Sequence, residues 1–453
     1  MEFDLKLMSV SHSLEKHPVL DECVKYKIKY LNVLEYFVNK YSQKDEFALK
    51  VLKNYKNIFL GEDIKEYSYS EHELKKVSKG VTGVKFKGFK LFTYRYTLVF
   101  DCLFINSMMN YDKANKILSE IKSIYRKRYH EKLDLLFDML YKNKKYVKGL
   151  DKVNYQIECL KKNNQHLKQK QVTILTTANM SAGKSTLINA LIGKKINRTM
   201  NDSCTSKLHY IYNKAFEDGF NYKLDGELNL DADEKVLLNN SESNKSSKIF
   251  TSTYFESLLP QKSRLCIIDT PGVNSSMDLE HSDVTKMTII NDGYDKLLYV
   301  INAENAGTND DLNYLNYICQ NVDQSKIIFV LNKLDRFRLS EDSIEDSINN
   351  LKEDLLKLGI KNPIICPVSA YAGLLAKKKM LGNNLDEDEQ DEYILLHKKF
   401  KNEGYNLSKF YSDKIIKSIN KIFKDKEKCP SIELLINCGI LCLEQIITER
   451  EEY

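Results

Sequence analysis

The sequence has no tryptophan and only 6 prolines in 453 residues. So little proline in a long chain favours helix over a loop-rich all-β architecture. No run of about 18 apolar residues occurs, so no transmembrane helix is expected. Residues 1–11 lack the basic start and apolar stretch of a secretory signal. The 10 cysteines form no Cys-x-x-Cys pair and no Cys/His metal spacing. Cys266 and Cys366 lie inside apolar runs and read as buried free thiols, which fits a reducing cytoplasm. The 8 histidines are scattered without paired spacing, so neither a metal site nor histidine-based catalysis is expected. Charge of one sign is also scarce: 69 basic against 63 acidic residues leave +6. That balance permits contact with anionic lipid or nucleic acid and argues for neither.

What is present is ordinary globular composition, 42% hydrophobic and 29% charged, with ample material for a core. A chain of this length holds two or three domains at about 100–200 residues each. Residues 1–165 read as an all-α region, with apolar side chains at helical spacing such as Leu31, Leu34, Phe37 and Val38, and again Leu98, Val99, Leu103, Phe104 and Ile105. A brief strand-like alternation at 85–92 is too short to build a sheet. Between 127 and 170 only Gly149 interrupts an apolar stripe, which predicts one or two long amphipathic helices. From Gln171 onward, short apolar runs alternate with helical patterns. The runs are 172–175, 208–212, 265–268, 296–301, 326–331 and 363–368, mostly unbroken, as strands buried on both faces should be. The expected second domain, 166–453, is therefore an α/β doubly wound domain with a mostly parallel sheet. Residues 225–247 read as a polar surface excursion and 377–390 as a charged loop. Residues 431–449 read as a closing helix. The lysine clusters at 144–145 and 377–379 read as solvated loop, with contact to anionic headgroups as the alternative.

The chemistry concentrates after the first strand, in Ala178-Asn179-Met180-Ser181-Ala182-Gly183-Lys184-Ser185-Thr186. A strand, this sequence and a helix beginning near Thr186 are the context of a phosphate-binding loop. Backbone N–H groups of the turn and of the helix start converge on one spot, where the positive end of the helix dipole also lies. Lys184 adds a mobile cation for the β- and γ-phosphates, and the Ser185 hydroxyl can ligate Mg²⁺. The first position is usually glycine. An alanine there costs about 1–2 kcal/mol if the backbone needs a positive φ, and nothing otherwise.

Three further segments follow at strand ends. Asp269-Thr270-Pro271-Gly272 puts a carboxylate where a Mg²⁺-organising acid belongs and a side-chain-free N–H, that of Gly272, where a γ-phosphate can approach. Asn332-Lys333-Leu334-Asp335 offers a carboxylate that accepts from guanine N1–H and N2–H₂, a donor pair that adenine lacks. Asn332 and the stem of Lys333 would hold the base from beside and above. Ser369-Ala370 then supplies a backbone N–H, that of Ala370, suited to guanine O6. The order of the four segments is that of guanine-nucleotide switch proteins. Thr205, with Thr199 as rival, is the candidate to close over the γ-phosphate and Mg²⁺ from the polar loop before the strand at 208–212.

At these residues the chain resembles the dynamin superfamily in its bacterial dynamin-like branch. Residues 181–193, 269–272 and 332–335 carry the likeness. So do Tyr299-Val300-Ile301-Asn302-Ala303, Gly307-Thr308-Asn309-Asp310-Asp311, and Cys438-Gly439-Ile440 leading to Leu443-Glu444. The resemblance spans roughly 170–449. It implies hydrolysis of GTP stimulated by nucleotide-dependent dimerisation through the GTPase faces, with either a second copy or another dynamin-like subunit. It also implies a monovalent cation placed with the help of Ser181. Eukaryotic dynamins carry glutamine at the position of Met180, where it helps place the attacking water. A long membrane-inserting stalk is usual in the family and is not recognisable here, so a partner subunit is expected to supply it. The expected picture is a cytoplasmic, peripherally membrane-associated GTPase acting in membrane or vesicle remodelling, using GTP/GDP and Mg²⁺. A slow-turnover switch docking an effector through the helical domain is the alternative. No nucleic acid is expected, since no RNA-reading module is recognisable.

Overall fold

The computed structural model describes residues 14, 16–42, 45–61, 93–107, 110–142, 144, 147–197, 207–238, 248–257, 259, 263–272, 279–291, 293–382, 385–424 and 429–448. The chain divides into two compact units. The first comprises residues 1–168 and 214–232; the second, 169–213 and 233–453. The helical region thus ends at 168 rather than 165, and it takes in a later segment that the sequence reading assigned to the nucleotide domain.

The first unit contains α1 (Val24–Tyr41), α2 (Glu46–Leu60), α3 (Arg95–Ser107), α4 (Tyr111–Ile124), α5 (His130–Tyr141) and α6 (Asp151–Leu167). The stretch from 127 is a short 3₁₀ turn and two helices, parted where Gly149 adopts φ 92°. Asn110 caps α4, its side chain accepting from the Lys113 N–H at 2.9 Å. The inserted segment 214–232 has a physical reason to belong here. The Asn54 side chain on α2 donates to Leu228 O at 2.8 Å and accepts from Leu230 N at 3.2 Å. The strand-like alternation at 85–92 lies outside the described residues.

Nine strands occur among the described residues: β1 (Gln171–Ala178), β2 (Leu208–Asn213), β3 (Tyr222–Asp225), β4 (Glu227–Asn229), β5 (Lys248–Thr253), β6 (Arg264–Asp269), β7 (Lys296–Asn302), β8 (Ile327–Asn332) and β9 (Ile364–Pro367). The antiparallel hairpin β3–β4 falls in the insertion. Those of the second unit run in the order β5-β2-β6-β1-β7-β8-β9. All neighbours are parallel except β2 against β6. Every residue of β6 and β8 is buried, which explains why both read as unbroken apolar runs. β1 lies between β6 and β7, which follow it by quite different lengths of chain. Such a switch point opens a crevice at the carboxyl ends of the strands.

The helices of the second unit are α7 (Lys184–Ile192), α8 (Glu234–Leu238), α9 (Leu279–Asn291), α10 (Asn309–Asn321), α11 (Ile344–Lys357), α12 (Ala370–Met380), α13 (Glu387–Phe400), α14 (Asp413–Phe423), α15 (Pro430–Asn437) and α16 (Ile440–Thr448). Two expectations are corrected. Residues 377–390 are not a charged loop: Lys377 to Lys379 close α12, and Asp386 opens α13 with a capping box to Glu389. Two of these lysines are withdrawn from solvent, since Lys377 is fully buried against Glu444 and Lys378 pairs with Glu389, while Lys379 is exposed and donates to Gln390 at 2.8 Å. The closing helix is two helices bent by 69°. Gly439 makes the bend at φ +79°, and a Cβ there would sit 2.3 Å from Pro367 O. Among the described residues no single helix is long and apolar enough to cross a membrane.

Candidate nucleotide-binding site

β1 delivers the chain to the crevice. Ala178 is its last residue, paired with Val300, and is not among the residues of positive φ. Alanine at the usual glycine position is therefore unstrained. The left-handed backbone falls instead at Ser181 (φ 60°) and Gly183 (φ 83°). Gly183 is required twice over: by that φ and because a Cβ would lie 2.4 Å from Asn332 Nδ2. α7 begins at Lys184, so Lys184, Ser185 and Thr186 form its first turn, where helical N–H groups lack internal partners. Asn179 turns its side chain aside, donating to Asp311 Oδ1 on α10 at 2.9 Å. Tyr299 donates to the same oxygen at 3.2 Å. Burial pushes the Asp311 carboxyl up from its ordinary value, and these donors oppose the shift.

The carboxylate of Asp269 ends β6, and Lys184 reaches it directly. Burial raises Asp269, and the Lys184 ammonium pulls it back down. Asn197 Nδ2 donates to Asp269 Oδ2 at 2.7 Å. Thr270 is fixed by its hydroxyl on Thr176 O at 3.1 Å. A Cβ on Gly272 would meet Met180 Cγ at 3.5 Å, so the Met180 side chain borders the Gly272 backbone.

On the other side stand the residues expected to read the base. Asn332 is buried and spans two loops: its Nδ2 donates to Ala182 O at 3.0 Å, and its Oδ1 accepts from Ala370 N at 3.0 Å. The Ala370 N–H, which the sequence reading aims at guanine O6, is thus engaged in bracing Asn332. Ser369 Oγ donates to Asp335 Oδ1 at 2.7 Å and accepts from Ala372 N, capping α12. Lys333 holds φ 69°, and its Cε lies 3.8 Å from where a Gly183 Cβ would be. Burial and the nearby Arg336 push the Lys333 ammonium down. Thr205 and Thr199 lie outside the described residues.

Residues 174–334, which hold the first two segments whole and the third as far as Leu334, match the model of the Dynamin family. Over those residues the chain is similar to that family. The chain is also similar to the chloroplastic FZO-like transmembrane GTPase of Arabidopsis thaliana, 26% identical over 200 residues, covering 44% of this chain. It spans only 19% of that relative's length. Among solved structures, one of an oligomerised bacterial dynamin pair is 17% identical with a TM-score of 0.36, covering 90% of this chain and 61% of that one. Toc33 of Arabidopsis thaliana, in complex with Mg²⁺ and GMPPNP, is 16% identical with a TM-score of 0.30, covering 47% and 78%.

In the second unit, several residues outside the four segments position those within them. Asn197 holds Asp269, Asp311 holds Asn179, and Lys399 on α13 donates to Asp335 O and Phe337 O at 2.5 and 2.8 Å. Asp311 belongs to the dynamin-like string at 307–311. Lys399 and Asn197 carry no sequence signal, since each acts through a partner far along the chain.

Proposed function

We propose that this chain binds and hydrolyses GTP as a dynamin-like protein, acting in membrane or vesicle remodelling together with a second dynamin-like subunit. The observation that carries the reading is Asn332. One buried amide ties the Ala182 carbonyl of the phosphate loop to the Ala370 N–H, so phosphate-side and base-side segments form one cradle. Chance motif matches scattered over a fold have no reason to converge in this way.

The donors fit Mg²⁺: a hydroxyl at Ser185 on a helix start and a buried carboxylate at Asp269, hard oxygens to be completed by phosphate. Among the described residues no cluster of three or more His, Cys, Asp or Glu could hold a metal by itself. Ser185 and Asp269 would hold the ion, with Thr205 as further candidate, and its charge would neutralise phosphate oxygens. The protein's own part is to cradle phosphate with the N–H groups of residues 180–186, to bring Lys184 to the phosphoryl oxygens, and to offer Asp335 to the guanine edge. Water would attack the γ-phosphorus in line while these fixed charges stabilise the developing negative charge. Ser181, held at φ 60°, is the candidate to help place a monovalent cation beside them.

One observation favours a slow switch as a second reading: Met180, an apolar side chain, borders Gly272 where a group able to hydrogen-bond the attacking water would serve hydrolysis. The test is GTP turnover per molecule against protein concentration, with ATP as control. Turnover that rises with concentration and ignores ATP supports a dimerisation-stimulated GTPase. Tight GTP binding with flat, negligible turnover supports the switch. Absence of guanine-nucleotide binding removes both.

A further inference from the structure

Beneath the phosphate side of the cradle runs a buried polar chain that no motif explains. His209 on β2 is the register partner of Asp269 on the antiparallel β6, so both side chains stand on one face of the sheet. Asn197 lies between them. Its Nδ2 donates to Asp269 Oδ2 at 2.7 Å, and its Oδ1 lies 2.9 Å from His209 Nδ1. His209 Nε2 lies 2.7 Å from Thr251 Oγ1 on β5. Asn197 is itself pinned to α7: its N–H donates to Asn189 Oδ1 at 3.0 Å and its carbonyl accepts from Asn189 Nδ2 at 2.8 Å. All five residues are buried.

Chemistry sets the direction of this chain. An ionised carboxylate only accepts, so Asn197 must turn its NH₂ toward Asp269 and its oxygen toward the imidazole. An amide oxygen only accepts as well, so His209 Nδ1 carries the proton. In the neutral ring Nε2 then accepts from the Thr251 hydroxyl. Thr251, His209 and Asn197 thus donate in sequence, and the polarised series ends on Asp269 Oδ2. A buried imidazole and amide are costly in a sheet otherwise filled with apolar side chains unless their bonds are made. Here the side-chain bonds of His209 to Asn197 and of Asn197 onward lead to one carboxylate. Lys184 takes the other oxygen of that carboxylate, Oδ1.

We propose that Asn197 and His209 are positioning residues for Asp269. They hold its Oδ2 from behind, so that Oδ1 is the oxygen presented on the side of Lys184 and a nucleotide-bound Mg²⁺. The proposal rests on the reading of Asp269 as the Mg²⁺-organising acid. Its signature is a loss of coupling between metal and nucleotide, with nucleotide binding itself retained.

The experiment measures the affinity of the full chain for N-methylanthraniloyl-GDP in excess EDTA and again in excess Mg²⁺. The ratio of the two is the metal enhancement. His209→Leu is expected to lower that ratio about tenfold or more, the usual range for removing an outer partner of a metal ligand. The affinity in EDTA should stay within about threefold, because the N–H cradle is untouched. His209→Asn places an amide N–H near the former Nδ1 and should recover part of the ratio. A wild-type ratio in folded His209→Leu overturns the proposal. So does a parallel fall of both affinities in both variants, which would mark a general packing role. Should His209→Leu fail to fold, Asn197→Asp decides, since it swaps the NH₂ for an oxygen at equal volume. A lowered ratio with intact EDTA affinity sustains the proposal, and an unchanged ratio overturns it. Wild-type protein that binds no guanine nucleotide overturns the nucleotide reading, and this proposal falls with it.

Discussion

Gly183→Ala strikes the cradle at its tightest point, and its cost can be assembled from two sources. Holding an L-residue at φ +83° costs about 1–2 kcal/mol. The new Cβ would also lie 2.4 Å from Asn332 Nδ2, so that amide must move. Its bonds to Ala182 O and Ala370 N, both 3.0 Å and buried, cannot both survive. A buried group left unpaired costs about 1–3 kcal/mol. The sum is about 2–5 kcal/mol, or about 30- to 4,000-fold in affinity if it falls on the bound form. Titration with a fluorescent GDP analogue, beside a thermal melt, reads it directly. A loop that relaxes without nucleotide leaves the melt near wild type and puts the whole loss into binding. Ala178→Gly is the control: at an unstrained strand end, glycine should gain no affinity and cost about 0.5–1 kcal/mol of stability. Affinity within threefold of wild type in Gly183→Ala, or a gain in Ala178→Gly, would show that the strained positions are misplaced.

Asp335→Asn keeps a group for Ser369 Oγ but cannot accept from both guanine N–H groups. Guanine preference over adenine and hypoxanthine analogues should fall about a hundredfold or more in competition binding, from two charge-assisted bonds at about 1.5–3 kcal/mol each. Glu444→Gln leaves the fully buried Lys377 uncompensated, which costs about 3–5 kcal/mol. The melting temperature should drop, and the double variant Lys377→Met/Glu444→Leu should recover most of it. Asp311 has its carboxyl raised by burial, so folding disfavours its charged form. Stability is therefore lost as pH rises from the ordinary carboxylate value through the raised one, and Asp311→Asn should flatten that part of the pH–stability curve while still accepting from Asn179 and Tyr299.

The second unit was legible because its strands are buried on both faces: all six predicted runs coincide with β1, β2, β6, β7, β8 and β9. β5 was missed because Lys248–Thr253 holds only two apolar residues, Ile249 and Phe250, in an otherwise polar run. The charged run at 377–390 misled because a lysine buried by a distant glutamate looks in sequence like one in water. The segments expected to touch nucleotide announce themselves, since phosphate and guanine demand fixed residue types at fixed spacing. Their supports do not. Asn197, His209 and Lys399 act through bonds to residues tens of positions away, and a single sequence carries no trace of that pairing. Ala178 shows the converse: an apparent departure from pattern is harmless once the backbone is known to be extended there.

The insertion of residues 214–232 gives the helical unit a history as well as a shape. A ribosome that has finished α6 has not finished that unit, because Asn54 still waits for the Leu228 and Leu230 backbone. β1, the phosphate loop and α7 must emerge first. A fragment ending at 168 would leave a buried amide without those partners and is expected to be less stable than the same helices in the whole chain. Severing the two units by truncation at 168 would therefore damage the first, and a clean dissection needs the hairpin returned to it through a short linker.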